Sequence, residues 1–149
     1  MNHINSPDTS DPAIEREIQA KGKTAPRITP ADIEATIASE HYFTAFDGAM
    51  HRGEHAKYAP DWEVPRTVEA LELLTFCVLV LRNGFTVTGE SACASPENFD
   101  AEIGRKVARA NAINKMWALL GYELKCRLAD PQRADVGDIG SQLTGTVTG

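Results

Sequence analysis

A chain of 149 residues, 42% of them apolar, has room for one core and for polar ends outside it. Its formal charge of −6 argues against general nucleic-acid binding, because an acidic surface repels the phosphate backbone. No apolar run approaches a bilayer span, and Met1-Asn2-His3-Ile4-Asn5-Ser6-Pro7 lacks the basic and apolar parts of a secretory leader, so no membrane association is expected and the cytoplasm is the expected compartment.

Residues 1–28 are polar, charged and without clear periodicity, and read as disordered. Thr29-Pro30-Ala31-Asp32 then makes a strong helix start: Thr29 can cap, Pro30 suits the first helical position, and Asp32 faces the positive end of the dipole. Ile33 and Ile37, four apart, predict a short helix to about Glu40. Residues 41–66 mix aromatics with Gly, Pro and His and read as an irregular connection, with Pro60 and Pro65 set against regular structure.

Leu73 to Arg82 is a dense β-branched and aromatic run, followed by Asn83-Gly84 and a second run, Phe85 to Ser91. Asn-Gly between two such runs predicts a β-hairpin with a two-residue turn. That turn sets Arg82 opposite Phe85, Val80 opposite Val87, Val78 opposite Gly89 and Phe76 opposite Ser91, so Phe76, Val78, Val80, Phe85 and Val87 share the expected core face. The other face carries Cys77, Leu79 and Leu81, which is too apolar for solvent. The N-terminal helix, the 41–66 connection or another subunit must cover it. A homo-oligomer that buries Cys77, Leu79 and Leu81 between subunits is the simplest expectation.

Ser95-Pro96-Glu97 opens the last major element. Phe99, Ile103, Val107, Ala110, Trp117, Leu120 and Leu124 follow at steps of three, four or seven residues and predict one buried helix face, with Gly121 as a break. Residues 122–128 fit either a third short strand or more helix, and 131–149 read as a flexible tail. The expected fold is α+β: an Asn-Gly hairpin packed on a long C-terminal helix, with a short N-terminal helix, in one domain spanning 29–130.

Cys77, Cys93 and Cys126 are odd in number and lack metal-ligand spacing, which makes them free thiols. His51-Arg52-Gly53-Glu54-His55 matches the H-x-x-E-H pattern of inverted zinc peptidases, but Gly53 and its loop-like surroundings oppose the helix that chemistry needs. Glu90, Glu97 and Asp100 form a carboxylate group near the helix start, where capping is the simpler role for Glu97 and Asp100. No phosphate-binding loop, dinucleotide fingerprint or nucleophile elbow occurs, so no catalytic residue, metal or cofactor is expected.

The charge distribution is more informative. Residues 1–72 hold 13 acids and 7 bases, whereas 103–115 hold Arg105, Lys106, Arg109 and Lys115 and no acid. Within that basic stretch Asn111 and Asn114 lie three apart beside the apolar stripe. They either satisfy backbone or solvent at the edge of the stripe, or form a polar clamp with Arg105, Arg109 and Lys115 on a small anionic ligand. In the second case Phe85 or Phe99 is placed to stack on a base.

Leu74-Thr75-Phe76-Cys77-Val78-Leu79-Val80-Leu81-Arg82-Asn83-Gly84-Phe85-Thr86-Val87-Thr88-Gly89-Glu90-Ser91-Ala92-Cys93, running into Ser95-Pro96-Glu97-Asn98-Phe99-Asp100, resembles the signature of a phage protein family named after gene products 49 and 66 of two phages. Gly104-Arg105-Lys106, Asn111-Ala112, Asn114-Lys115, Trp117 and Gly121-Tyr122 are similar to it too, so the likeness covers about residues 30–128. The resemblance implies a phage or prophage origin and an accessory role in the host cytoplasm, with no catalytic residues to carry over. Three readings follow. The first is a non-enzymatic homo-oligomer that sequesters a host nucleotide-derived defence signal, the second an inhibitor that binds a host protein, and the third a nucleotide-processing enzyme.

Overall fold

The computed structural model describes residues 10–50, 65–130 and 132. In chain order the elements are α1 (Asp11–Ala20), α2 (Pro30–Thr36), β1 (Ile37–Thr44), α3 (Ala45–Met50), α4 (Pro65–Glu72), β2 (Leu74–Leu81), β3 (Thr86–Ala92), a 3-10 turn (Pro96–Asn98) and α5 (Ala101–Ala129). The chain forms two compact units. One is Thr29–Trp117, and the other joins the residues up to Ile28 with those from Ala118 onward. The expected α+β class holds, while the single domain over 29–130 gives way to this division.

The second unit corrects the expectation of disorder over 1–28, since residues 11–20 are helical. Ile14 and Ile18 lie one turn apart, and the i,i+4 contacts Gln19 to Glu15 and Lys21 to Glu17 support a helix of otherwise polar composition. Arg27 closes the following loop with two hydrogen bonds to Glu15, at 2.5 and 2.7 Å. The expected flexible tail at 131–149 lies outside the described residues, Gln132 excepted.

In the main unit, Thr29 and Asp32 form the capping box expected of them: the Thr29 N–H donates to Asp32 Oδ2 at 2.8 Å and the Asp32 N–H to Thr29 Oγ1 at 3.2 Å. α2 ends at Thr36, however, not near Glu40. Ile37 begins a strand, and 41–44 belong to that strand instead of an irregular connection. Arg82 fixes the junction, donating from its backbone N–H to the Thr36 carbonyl at 3.0 Å and from Nε to the Ala35 carbonyl at 2.5 Å. Those are orphan carbonyls of the last helical turn, satisfied from the hairpin tip. Thr44 and Asp47 repeat the capping box at the start of α3. Pro65 opens α4 instead of breaking structure, because proline's missing N–H is unused at the first helical position.

The sheet is an antiparallel meander in the order β1-β2-β3. The hairpin lies where Asn83-Gly84 predicted it, but its loop has three residues: Leu81 N–H donates to the Phe85 carbonyl at 2.8 Å and Gly84 N–H to the Leu81 carbonyl at 2.9 Å. Gly84 alone of the loop needs positive φ, at 83°. This is a turn followed by a glycine bulge, and it shifts the register by one residue from the two-residue case. Leu79 therefore pairs with Val87, Cys77 with Gly89 and Val80 with Thr86.

The shift corrects the expected core face. Thr75, Cys77, Leu79, Leu81, Val87 and Gly89 are buried on the inner side, while Leu74, Phe76, Val78 and Val80 are half-buried on the outer side and Phe85 is 53% exposed. On the outer side Phe43 of β1 stacks on Phe76, with ring centroids 5.6 Å apart. Burying Leu79, Leu81, Val87, Ile33 and Met116 contributes roughly 1.5–3 kcal/mol apiece before entropy.

The cover for the inner side is α5, capped by Asp100 Oδ1 accepting the Ile103 N–H at 2.9 Å. Ser95 opens only the short 3-10 turn, and α5 runs through Gly121 and through 122–128, which settles that stretch as helix. The residues that α5 buries are Gly104, Ala108, Ala112, Met116 and Leu120, four apart along the helix; of the predicted stripe only Leu120 is among them, while Ile103 is 61% exposed and Val107 42%. The physical reason is closeness of approach. A Cβ on Gly89 would lie 2.1 Å from the Ala108 carbonyl oxygen and 2.3 Å from the Ala112 nitrogen, so only small residues fit at this crossing.

Gly89→Ala is expected to destabilise the protein by about 3 kcal/mol or more, since backbone and not a movable side chain blocks the added methyl. Gly121→Ala, whose Cβ meets nothing within 4 Å, is expected to stabilise by roughly 0.5–1 kcal/mol. Paired denaturant melts check both, and equal shifts would refute the close crossing.

Candidate functional site

The basic helix carries most of the candidate groups, and α5 directs them to different sides. Lys115 Nζ donates to the Thr88 carbonyl at 2.7 Å and approaches Glu90 Oε2 at 3.4 Å, while Asn111 Nδ2 donates to the Glu90 carbonyl at 2.8 Å. In the β2–β3 register the backbone groups of Thr88 and Glu90 face away from β2, along the open edge of the sheet. Asn111 and Lys115 therefore cap an edge strand, one on each side of the Gly89 crossing. A capped edge is a poor template for pairing with other chains.

Arg109 lies on the opposite flank. Its Nη2 donates to Glu34 Oε2 and to Glu40 Oε1, each at 2.7 Å, and its Nε donates to Glu40 Oε1 at 2.9 Å. Glu40 Oε2 accepts the Tyr42 hydroxyl at 2.7 Å, so both carboxylate oxygens are engaged. Arg109 thus ties α5 to α2 and β1 in one charge-assisted network. The Arg109 hydrogen bond holds the Glu40 carboxyl below its ordinary range. Burial, followed by the bond to Glu40, keeps the Tyr42 phenol protonated well above its usual range, and the two carboxylates raise the Arg109 guanidinium.

The seven expected ligand residues consequently do not converge within one chain. Asn111 and Lys115 serve the β3 edge and Arg109 serves α2 and β1. Arg105 is exposed, one turn before Arg109 on the same flank, and has no side-chain hydrogen bond or ion pair among the described residues. Asn114 is exposed on the outward side of α5, Phe85 sits at the hairpin tip, and Phe99 is half-buried after the 3-10 turn. Helical periodicity alone could have separated Asn114 from Arg105, but Glu34, Glu40 and Tyr42 carry no sequence mark as partners of Arg109.

The expected subunit interface is also corrected. Cys77 and Leu79 are 0% exposed and Leu81 5% within the single chain, because α5 covers them. The apolar surplus that argued for a partner is taken up internally. All three cysteines are free, as expected, and burial pushes the Cys77 thiol up, away from reactivity. The His51–His55 pattern lies outside the described residues; among those described, no group of three or more His, Cys, Asp or Glu side chains is placed to hold a metal. Glu97 and Asp100 are exposed, and Asp100 caps α5. No helix of the described residues is long and apolar enough to cross a membrane.

The family model described as Phage protein (N4 Gp49/phage Sf6 gene 66) family matches residues 28–128. The chain belongs to this family. The match takes in every strand of the described residues and the Arg109 network, and it ends just before the last residue of α5. No curated protein and no solved structure matches the chain.

The network generates a pH dependence with a definite sign. Glu40 has a depressed folded pKa, so its contribution is present above the unfolded carboxylate value and is lost as pH falls through the folded one. Stability is expected to drop as pH falls below about 4.5, the unfolded value, and Glu40→Gln is expected to flatten the curve in that window. Urea melts as a function of pH check this, and parallel curves for the two proteins would count against it.

Proposed function

We propose that this phage-family protein acts by binding and not by catalysis. In this reading a homo-oligomer in the host cytoplasm takes up a nucleotide-derived signal and so blunts a host defence response. The supporting observation is the division of labour among the cations of α5. Arg109 and Lys115 are held by groups of the same chain, whereas Arg105 is exposed and unpaired among the described residues. One guanidinium binds a phosphate weakly. Copies of Arg105 brought together by assembly would supply the convergent, bidentate donors that a phosphate or pyrophosphate needs.

A second reading, inhibition of a host protein by direct contact, is favoured by a different observation: Ile103, Val107 and Phe85 are exposed apolar side chains. A third, processing of a nucleotide, predicts the same binding with an altered product.

The three separate in one experiment. The protein is incubated with a bacterial nucleotide extract, recovered by filtration and heated to release what it holds. An intact nucleotide is the expected result; an altered one means an enzyme, and none at all means the protein-inhibitor reading. With the released nucleotide identified, Arg105→Ala is expected to lower affinity by roughly 10- to 150-fold, the loss of one charge-assisted contact. Wild-type affinity in a folded Arg105→Ala protein would overturn Arg105 as the binding group.

A further inference from the structure

The two edges of the sheet differ. At β3 the outward backbone groups are taken up by Asn111 and Lys115. At β1 they are not. Arg82 N–H donates to the Thr36 carbonyl and Leu81 N–H to the Phe85 carbonyl, so even-numbered residues of β2 turn their backbone to β1 and odd-numbered ones to β3. Ser39, His41 and Phe43, set opposite Val80, Val78 and Phe76, therefore bond to β2, while Glu40, Tyr42 and Thr44 turn their backbone outward. The Thr44 N–H is taken by Asp47 Oδ2 at 2.8 Å. The N–H and C=O groups of Glu40 and Tyr42 meet no hydrogen-bond partner among the described residues. Nor does β1 carry the usual devices that protect an edge. It has no lysine or proline, its register shift lies at its start, between Ile37 and Ser39, and its one acid, Glu40, is balanced by Arg109.

We infer that β1 pairs antiparallel with β1 of a second copy, about a two-fold axis at His41, and joins two sheets into one. The inference rests on the homo-oligomer in the reading above but not on the ligand. Open backbone groups call for a strand, and three observations select this one. The first is register. With His41 opposite His41, Glu40 faces Tyr42 of the other copy and the two exchange both of their backbone hydrogen bonds, once on each side of the axis. Every open group of the two residues is then satisfied. Centring on Tyr42 would need the Thr44 N–H that Asp47 holds, and centring on Glu40 would oppose two carboxylates and draw in the irregular start of the strand.

The second observation is closure. Because β3 is capped, β1 cannot add to the far edge of another sheet, so self-pairing ends at a dimer and does not grow into a filament. The third is the placement of α5. Arg109 reaches Glu40, next to the axis, so the flank of α5 that carries Arg105 one turn earlier is turned toward the other copy. That is the convergence a shared phosphate needs.

The test uses the full chain. Wild type is expected to show a concentration-dependent dimer in multi-angle light scattering. A monomer at all concentrations overturns the inference, whether the edge is kept for another segment of the chain or for a host protein. His41→Glu, at an exposed position, sets two carboxylates opposite each other and is expected to weaken the dimer about 5-fold. In a Cys93→Ser/Cys126→Ser background, His41→Cys is expected to form an interchain disulfide under mild oxidation, because a cross-strand pair of this kind has its Cα atoms about 4.5 Å apart. Ser39→Cys, on the same strand and face, is not, because in this register the two copies of position 39 lie about 13 Å apart along the strands. A dimer that cross-links at neither position, or at both alike, overturns the pairing, and so does one that a folded His41→Glu protein leaves unchanged. If His41→Glu unfolds, the cross-links decide alone. Failure of the ligand reading looks different. A dimer linked through position 41 that releases no nucleotide keeps the edge pairing and removes the sequestration, whereas a monomer that releases an intact nucleotide keeps nucleotide binding and removes the edge pairing.

Discussion

Gly89 lies against the backbone of α5 at Ala108 and Ala112, and the rest of the main unit is arranged around that crossing. At such a separation the helix can present only small residues, so Gly104, Ala108 and Ala112 go inward and Ile103 and Val107 go outward. The same closeness puts Asn111 and Lys115 within reach of the Glu90 and Thr88 carbonyls on one flank. On the other flank it lets Arg109 span to Glu34 and Glu40. One steric constraint thus sets the core, the capped edge and the ion network together.

The network's energetic weight is moderate. Arg109 and Glu40 side chains are 30% and 31% exposed and Glu34 57%, so solvent screens part of the attraction. Its larger consequence is positional, because a bidentate guanidinium holding two carboxylates from different elements fixes their relative placement. For function, the outcome is a helix whose central cation is engaged in structure while Arg105, one turn earlier, is not. Under the proposed sequestration, a phosphate-binding role for this helix would fall on Arg105.

The outward and inward rows of α5 also show why amphipathic periodicity can mislead. Both rows repeat at helical spacing, but where the helix crosses the sheet one consists of Gly104, Ala108 and Ala112 and the other of Ile103 and Val107. Hydropathy favours the second row as the buried one. Packing against a glycine-bearing strand favours the first, because area removed from water counts only where the surfaces can meet without overlap.

Local features were legible in the residues themselves. The Thr29–Asp32 capping box, a turn at Asn83-Gly84, the long helix after Phe99 and three free thiols each follow from the φ/ψ preferences or hydrogen-bonding needs of a few neighbouring residues. The choice between a two- and a three-residue hairpin loop, the strand at 37–44, the inward face of α5 and the partners of Arg109 were not legible there. Each is a property of two segments distant in sequence: Leu81 with Phe85 could pair in either register locally, but only one register sets Gly89 beneath Ala108 and Ala112. The steric match between two backbones belongs to neither sequence segment alone, and so the tertiary structure decided it.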